Sequence, residues 1–217
     1  EAGRLKERNV TIDELELEAG DVTVHHAPVG LSALMQLSNL NLPHLRFKPW
    51  PALTAGRLAA AEENERSIFS VIRERQLLVH HPHESFISSV EEFVKQAALD
   101  PLVQSIKMTL YRTSGDSSIA RHLIHAAEMG KQVAVVIELK ARFDEARNMS
   151  WAKELEYAGV HVTYGLVGLK THAKCILVVR NDSDKMRRYV HMGTGNYNST
   201  TARIYEDIGF FTCEDAI

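Results

Sequence analysis

Between Ile68 and Val179 the chain alternates short apolar, β-branched runs with longer stretches whose apolar residues recur at helical spacing. That alternation constrains the fold more than any other feature. Gln132 to Leu139 is almost wholly apolar, which fits a strand covered on both faces. Ser105 to Tyr111, Val160 to Tyr164, Ala173 to Val179 and Tyr189 to Met192 read as further strands, with a shorter apolar piece at Leu77 to Val79. Pro82 to Ser85 opens a helix that places Phe86, Ile87, Val90, Phe93, Val94 and Ala97 on one face. A second helix runs from Ser118 to Met129 and ends at Gly130, and a third runs from about Ala146 to Ala158 and is stopped by Gly159. The expected fold is α/β, with a mostly parallel or mixed sheet, helices on both faces and ligands gathered at the carboxyl ends of the strands.

The leading residues carry weaker signals: a helical stretch at Leu31 to Leu37, then Pro43, Pro49, Trp50 and Pro51 in one window. Proline fixes φ and restricts the residue before it, so this window reads as an extended connector. Residues 1–60 are therefore expected to be a partial segment of another domain with its connector, and residues 61–217 the α/β domain. The chain opens at Glu1-Ala2-Gly3 and closes at Asp215-Ala216-Ile217, and an excised segment of a longer protein is expected. No apolar run reaches the roughly 20 residues that a membrane-crossing helix needs, so no transmembrane segment and a cytoplasmic setting are expected. The formal charge of −3 argues against nucleic acid held by overall basicity, while leaving room for local arginines and lysines to grip an anion. Cys175 and Cys213 lack CxxC spacing and read as reduced and packed, and His80, His81 and His83 read as a solvated turn before a helix rather than a metal cluster.

Two segments carry chemistry. In Gly168-Leu169-Lys170-Thr171-His172-Ala173-Lys174, His172 and Lys174 stand two apart at the entrance to a strand and so share a face. A neutral imidazole is a nucleophile toward phosphorus, and the ammonium offsets charge on the transferring group. The same spacing also fits a structural histidine beside a surface lysine. Gly193-Thr194-Gly195-Asn196-Tyr197-Asn198 is a glycine-rich turn after a strand, able either to bring backbone N–H groups to phosphate oxygens or simply to turn the chain. No GxxxxGK[ST] phosphate loop occurs. Arg112 and Arg142 follow predicted strands, where they can meet phosphate or pair with Asp144, Glu145 or Asp207. Asp207 can orient an imidazole or a tyrosine, or pair with Arg203.

HxK followed by GTGNxN resembles the phospholipase D superfamily, although Val179 stands where that superfamily carries an aspartate. A closer resemblance, from about Ala27 to the end, is to polyphosphate kinases of the histidine-phosphorylating type. It is carried by Ser67-Ile68-Phe69 with Ile72-Arg73-Glu74-Arg75, by Leu110-Tyr111-Arg112, and by Glu138-Leu139-Lys140-Ala141-Arg142-Phe143-Asp144-Glu145. The HxK and GTGNxN segments and Thr201-Ala202-Arg203-Ile204-Tyr205-Glu206-Asp207 complete it. The resemblance implies a phospholipase D-like first C-terminal catalytic domain, with residues 1–60 the tail of the head domain before it. It implies transfer of the ATP γ-phosphate to polyphosphate through a phosphohistidine at His172. Lys174, Arg112, Arg142, Asn196 and Tyr205 would bind nucleotide or phosphate, and Mg2+ would be the cofactor. Arg112 and Arg142 are associated with the magnesium site and would act on it through phosphate, since guanidinium has no lone pair for a metal. The partners implied are ATP or ADP and polyphosphate, without nucleic acid, in a parent enzyme expected to be a homo-oligomer that can lie peripheral to a membrane. The second histidine and an arginine of the family's site lie in a downstream domain, so the chain alone is expected to be inactive. Other function classes consistent with the residues are a phospholipase D-like phosphodiesterase and a non-catalytic polyphosphate-binding module.

Overall fold

A computed structural model describes residues 14–21, 26, 30–48, 50–111, 117–138, 145–165 and 168–217. The chain divides into two units, Glu1–Pro49 and Trp50–Ile217. The first contains the short turns Ala19–Asp21, Leu31–Leu34, Met35–Ser38 and Pro43–Leu45. Arg46 ties part of it together by donating to the carbonyls of Ser38 and Leu40. The division falls inside the proline-rich window, ahead of the boundary expected at residue 60. Helix α1 (Gly56–Glu63) buries Leu58 and Ala61 in the core of the second unit.

That second unit continues with α2 (Ile68–Glu74), strand β1 (Leu77–His81), a π-helical turn Ile87–Glu91 running into α3 (Glu92–Leu99), and β2 (Val103–Leu110). Next come α4 (Ser118–Glu128), β3 (Gln132–Ile137), α5 (Glu145–Tyr157), β4 (His161–Tyr164), β5 (Lys174–Asn181), β6 (Met186–Gly193) and β7 (Asp207–Thr212). Local chemistry sets several ends. The Ser67 hydroxyl accepts from the Ser70 N–H at the start of α2, and Ser117 does the same for Ala120 at α4. Gly130 and Gly159 take φ of +82° and +86° just past α4 and α5, a region where only glycine is unstrained.

The seven strands form one sheet in the order β1-β7-β6-β5-β2-β3-β4. Parallel pairing is confined to β2–β3 and β3–β4, and all other neighbours are antiparallel. A parallel pair needs a crossover that carries the chain back to the opposite end of the sheet, which α4 and α5 provide, whereas β6 re-enters antiparallel at the end where β5 finishes. The sheet is therefore mixed, and its parallel part is smaller than the helix–strand alternation implies.

The described helices lie on one face of the sheet rather than on both. Val79, Ile106, Val135, Ile176, His191 and Phe211 are all buried on that face, and the apolar ones share a core with Phe93, Leu123 and Leu155. On the reverse face Leu78, Met192 and Ile208 are exposed and Val136, Leu177 and Val190 only half-buried. The two parallel crossovers step the same way across the sheet, and right-handed connections then place both helices on the same side.

The core is knit by aromatic contacts: Phe69 lies 4.9 Å from Tyr189 and 5.6 Å from Phe93, and Phe93 lies 5.4 Å from Phe211. Beside them Asp182, almost fully buried, accepts from the Tyr189 hydroxyl at 2.7 Å and from Arg187 at 2.8 Å, and also pairs with Arg180. Burial alone would raise its carboxyl, but the Tyr189, Arg180 and Arg187 donors hold it below the usual carboxylate range. Cys175 and Cys213 are free and half-buried.

Candidate active site

Strand pairing brings the two chemical segments together. β5 lies between β2 and β6, and Lys174, the first residue of β5, pairs directly with Gly193, the last of β6. The HxK segment and the glycine turn therefore leave the sheet at one edge, beside the carboxyl end of β2. Thr109 secures that edge. Its hydroxyl donates to the Ala173 carbonyl at 2.7 Å and accepts from the Cys175 N–H at 3.1 Å, extending the β2–β5 ladder up to the histidine.

His172 is exposed, and its ring meets Tyr111, the residue after β2, edge to face at 5.4 Å. Lys174 is 7% exposed, and its Nζ lies 3.1 Å from His172 Nδ1 and 3.3 Å from Nε2. Near-equal distances cannot be reached in the ring plane without a clash with Cε1, so the ammonium stands off that plane, close to both nitrogens but along neither lone pair. Nζ of Lys174 and of Lys170 also stand 5.6 and 5.3 Å from the centre of the Tyr111 ring. Burial lowers the Lys174 pKa below that of a free lysine, and Asp207 opposes this. The shared face inferred from the HxK spacing is thus present, with Tyr111 as a third member.

Glu138 and Asn148 fix this arrangement. Glu138, buried just after β3, accepts the Thr171 N–H at 2.8 Å and so anchors the loop carrying His172. Asn148 on α5, 1% exposed, donates from Nδ2 to the carbonyls of Tyr111 and Glu138, both at 2.9 Å. One amide clamps the carboxyl ends of β2 and β3. No role was assigned to either residue from sequence. A carboxylate closing an apolar strand run was a usable signal for Glu138, whereas nothing local marks Asn148.

The glycine turn is shaped by Asp207. Thr194 donates its hydroxyl to this carboxylate at 2.8 Å and accepts from the Ile208 N–H at 2.9 Å. A Cβ on Gly195 would stand 2.5 Å from an Asp207 oxygen, so only glycine fits there. Asn198 accepts from the N–H groups of Thr200 and Thr201 and starts the turn Thr201–Arg203. Asn196 turns its Oδ1 into the interior. Tyr205 is 61% exposed just before β7 and forms no hydrogen bond with His172 or Lys174. Arg112 and Arg142 lie outside the described residues.

The histidine-rich segment differs from the expected solvated turn. His80 and His81 close β1, and His81 is buried; only His80 and His83 stay at the surface, 4.8 Å apart and facing Glu206. Among the described residues no group of three or more His, Cys, Asp or Glu is placed to hold a metal. No described helix is long and apolar enough to cross a membrane.

Residues 67–217 match the family profile described as polyphosphate kinase C-terminal domain 1. The chain belongs to the polyphosphate kinase family. A polyphosphate kinase from Synechocystis is 51% identical over 218 residues, covering 95% of the chain and 30% of the relative. One from Mycobacterium tuberculosis is 54% identical over 199 residues, covering 92% of the chain and 27% of the relative. The crystal structure of polyphosphate kinase from Porphyromonas gingivalis superposes with a TM-score of 0.68 at 33% identity, over 86% of the chain and 30% of that structure. The chain thus spans about a third or less of these polyphosphate kinases, and the matched region holds the whole HxK, glycine-turn and Glu138–Asn148 assembly.

Proposed function

We propose that this chain carries the phosphate-accepting histidine of a longer ATP:polyphosphate phosphotransferase. The observation that supports the reading best is the exposed His172 imidazole, with a largely buried ammonium close to both of its nitrogens and Tyr111 in edge-to-face contact with it. A ring nitrogen of His172 attacks the γ-phosphorus of ATP. The P–N bond forms as the bond to the bridging β–γ oxygen breaks, and ADP leaves. A terminal oxygen of polyphosphate then attacks the same phosphorus and releases the imidazole.

Lys174 has three N–H donors and no acceptor, so it can turn from the ring to an equatorial phosphoryl oxygen as charge accumulates there. Arg112, Arg142 and Tyr205 hold phosphates and nucleotide in this reading. Magnesium supplies charge neutralisation on the β- and γ-phosphates when bound. With no carboxylate or histidine cage for it among the described residues, the cation is expected to arrive on phosphate oxygens. Val179 sits half-buried within β5 at the position where phospholipase D enzymes carry an aspartate, which supports phosphotransfer over phosphodiester hydrolysis.

The test is to incubate this chain, and a full-length polyphosphate kinase containing it, with γ-labelled ATP and Mg2+. The longer protein is expected to acquire acid-labile, base-stable label on His172, and the chain alone little or none. His172→Ala in the longer protein should abolish the label while leaving the circular dichroism spectrum unchanged. Wild-type labelling by that variant would remove His172 from the reaction.

A further inference from the structure

Behind the glycine turn lies a cluster of polar atoms that the proposed reaction does not use. His81 and His191 are 4% and 2% exposed, and the Nε2 of each is buried without a hydrogen-bond partner. Asn196 Oδ1 is in the same condition. All three residues line one cavity of ≈ 10 Å³, walled also by Phe86, Val90 and the glycines of β6 and β7. A buried polar group left unpaired costs on the order of 1–3 kcal/mol. Three of them facing one small space require a common explanation.

The remaining hydrogen bonds assign the proton on each ring. His81 Nδ1 lies 2.8 Å from the Glu84 carbonyl, which can only accept. Nδ1 therefore carries the hydrogen, and neutral His81 presents a bare Nε2 lone pair to the cavity. His191 Nδ1 lies 2.9 Å from the Tyr197 hydroxyl, the only hydrogen-bond partner of that buried phenol among the described residues. If the phenol accepted there, its own proton would be left unpaired. If it donates, His191 Nδ1 is the acceptor and the hydrogen sits on Nε2, pointing the other way. The unpaired groups of the cavity are thus two acceptors, His81 Nε2 and Asn196 Oδ1, and one donor, His191 Nε2–H; the Asp207 carboxylate also lines it, with one oxygen accepting from the Thr194 hydroxyl.

Two acceptors and one donor are the complement of a water molecule, and the cavity has about the room that one water needs, roughly 10–15 Å³. We propose that this cavity is a built site for a single internal water, which donates to His81 Nε2 and Asn196 Oδ1 and accepts from His191 Nε2–H. The glycines keep the space open. A Cβ on Gly209 would stand 2.6 Å from His191 Nε2, and one on Gly193 3.1 Å from His191 Cε1. A metal fits less well, because a protonated Nε2 cannot ligate one. The bound water ties the glycine turn, through Asn196, to β1 and β6, and so sets the turn against the sheet edge from which His172 projects. The site stands on geometry alone and does not depend on the phosphotransfer reading.

Two measurements on the unmodified chain test it. Long-range proton–nitrogen correlation on histidine-labelled protein at neutral pH should show His81 protonated at Nδ1 and His191 at Nε2, the latter exchanging slowly with solvent. A crystal structure at a resolution that orders water should show one peak within about 3.2 Å of His81 Nε2, His191 Nε2 and Asn196 Oδ1. The same tautomer on both rings, an empty cavity, a direct imidazole–imidazole contact or an anomalous metal signal in this position would each overturn the proposal.

Discussion

Acidification through the range in which histidine titrates should destabilise this chain measurably, and His191 sets the size of the effect. Burial, reinforced by the nearby His81, lowers its pKa from 6.5 to about 3. In the unfolded chain the same imidazole protonates near 6.5. Between those values the unfolded state binds a proton that the folded state refuses, so stability is full above pH 6.5 and falls as pH drops toward 3. One such group contributes a slope of about 1.4 kcal/mol per pH unit once well below 6.5, and about 2 kcal/mol is lost between pH 7 and pH 5. His81 and His122, both lowered chiefly by burial, act in the same direction. The carboxyls of Asp182, Asp184 and Asp215 are held below 3.8, so the stability they contribute is lost only at lower pH, and the window from pH 7 to 5 belongs to the histidines. Urea midpoints at pH 7, 6 and 5, with unchanged m-values, read the effect directly. His191→Gln keeps a hydrogen-bonding group without a titrating one, and should start lower in stability but flatten the profile by about 2 kcal/mol over the same window. A wild-type profile that is flat from pH 7 to 5, or a variant with the wild-type slope, would refute the reasoning.

Asn148→Ala removes both donors that clamp the Tyr111 and Glu138 carbonyls, and should cost about 2–4 kcal/mol in urea denaturation while lowering phosphotransfer in the longer protein; wild-type stability would show that the clamp is replaceable. Gly195→Ala places a methyl 2.5 Å from the Asp207 carboxylate, and about 1–3 kcal/mol of destabilisation is expected, smaller if Asp207→Ala is combined with it. Asp182→Ala leaves the Tyr189 hydroxyl, Arg180 and Arg187 without their shared acceptor, and a loss of about 3–5 kcal/mol is expected in thermal or urea unfolding.

Much of the architecture was legible because it is written in local periodicity. The β-branched run at Gln132 and the helices stopped by Gly130 and Gly159 lie where their spacing places them, within a few residues. Strand β7 and helices α1 and α2 were missed: β7 follows a turn-rich stretch without clear alternation, and α1 and α2 are short. The HxK pair was legible for the same reason as the strands, since residues two apart at a strand entrance share a face whatever surrounds them.

The sequence alone determined that this chain is a helix–sheet domain, placed His172 beside Lys174, and carried motifs that mark the polyphosphate kinase family. Only the tertiary structure decided what holds that pair in place. Thr109 reaches Ala173 across 64 positions, Glu138 reaches Thr171 across 33, and Asn148 reaches back 37 to Tyr111. It also decided that the described helices lie on one face of the sheet and that His81 and His191 line the same small cavity. Periodicity reports how a residue sits relative to its neighbours in the chain, whereas strand order and long-range hydrogen bonds arise from which faces pack together, and no local pattern encodes that choice.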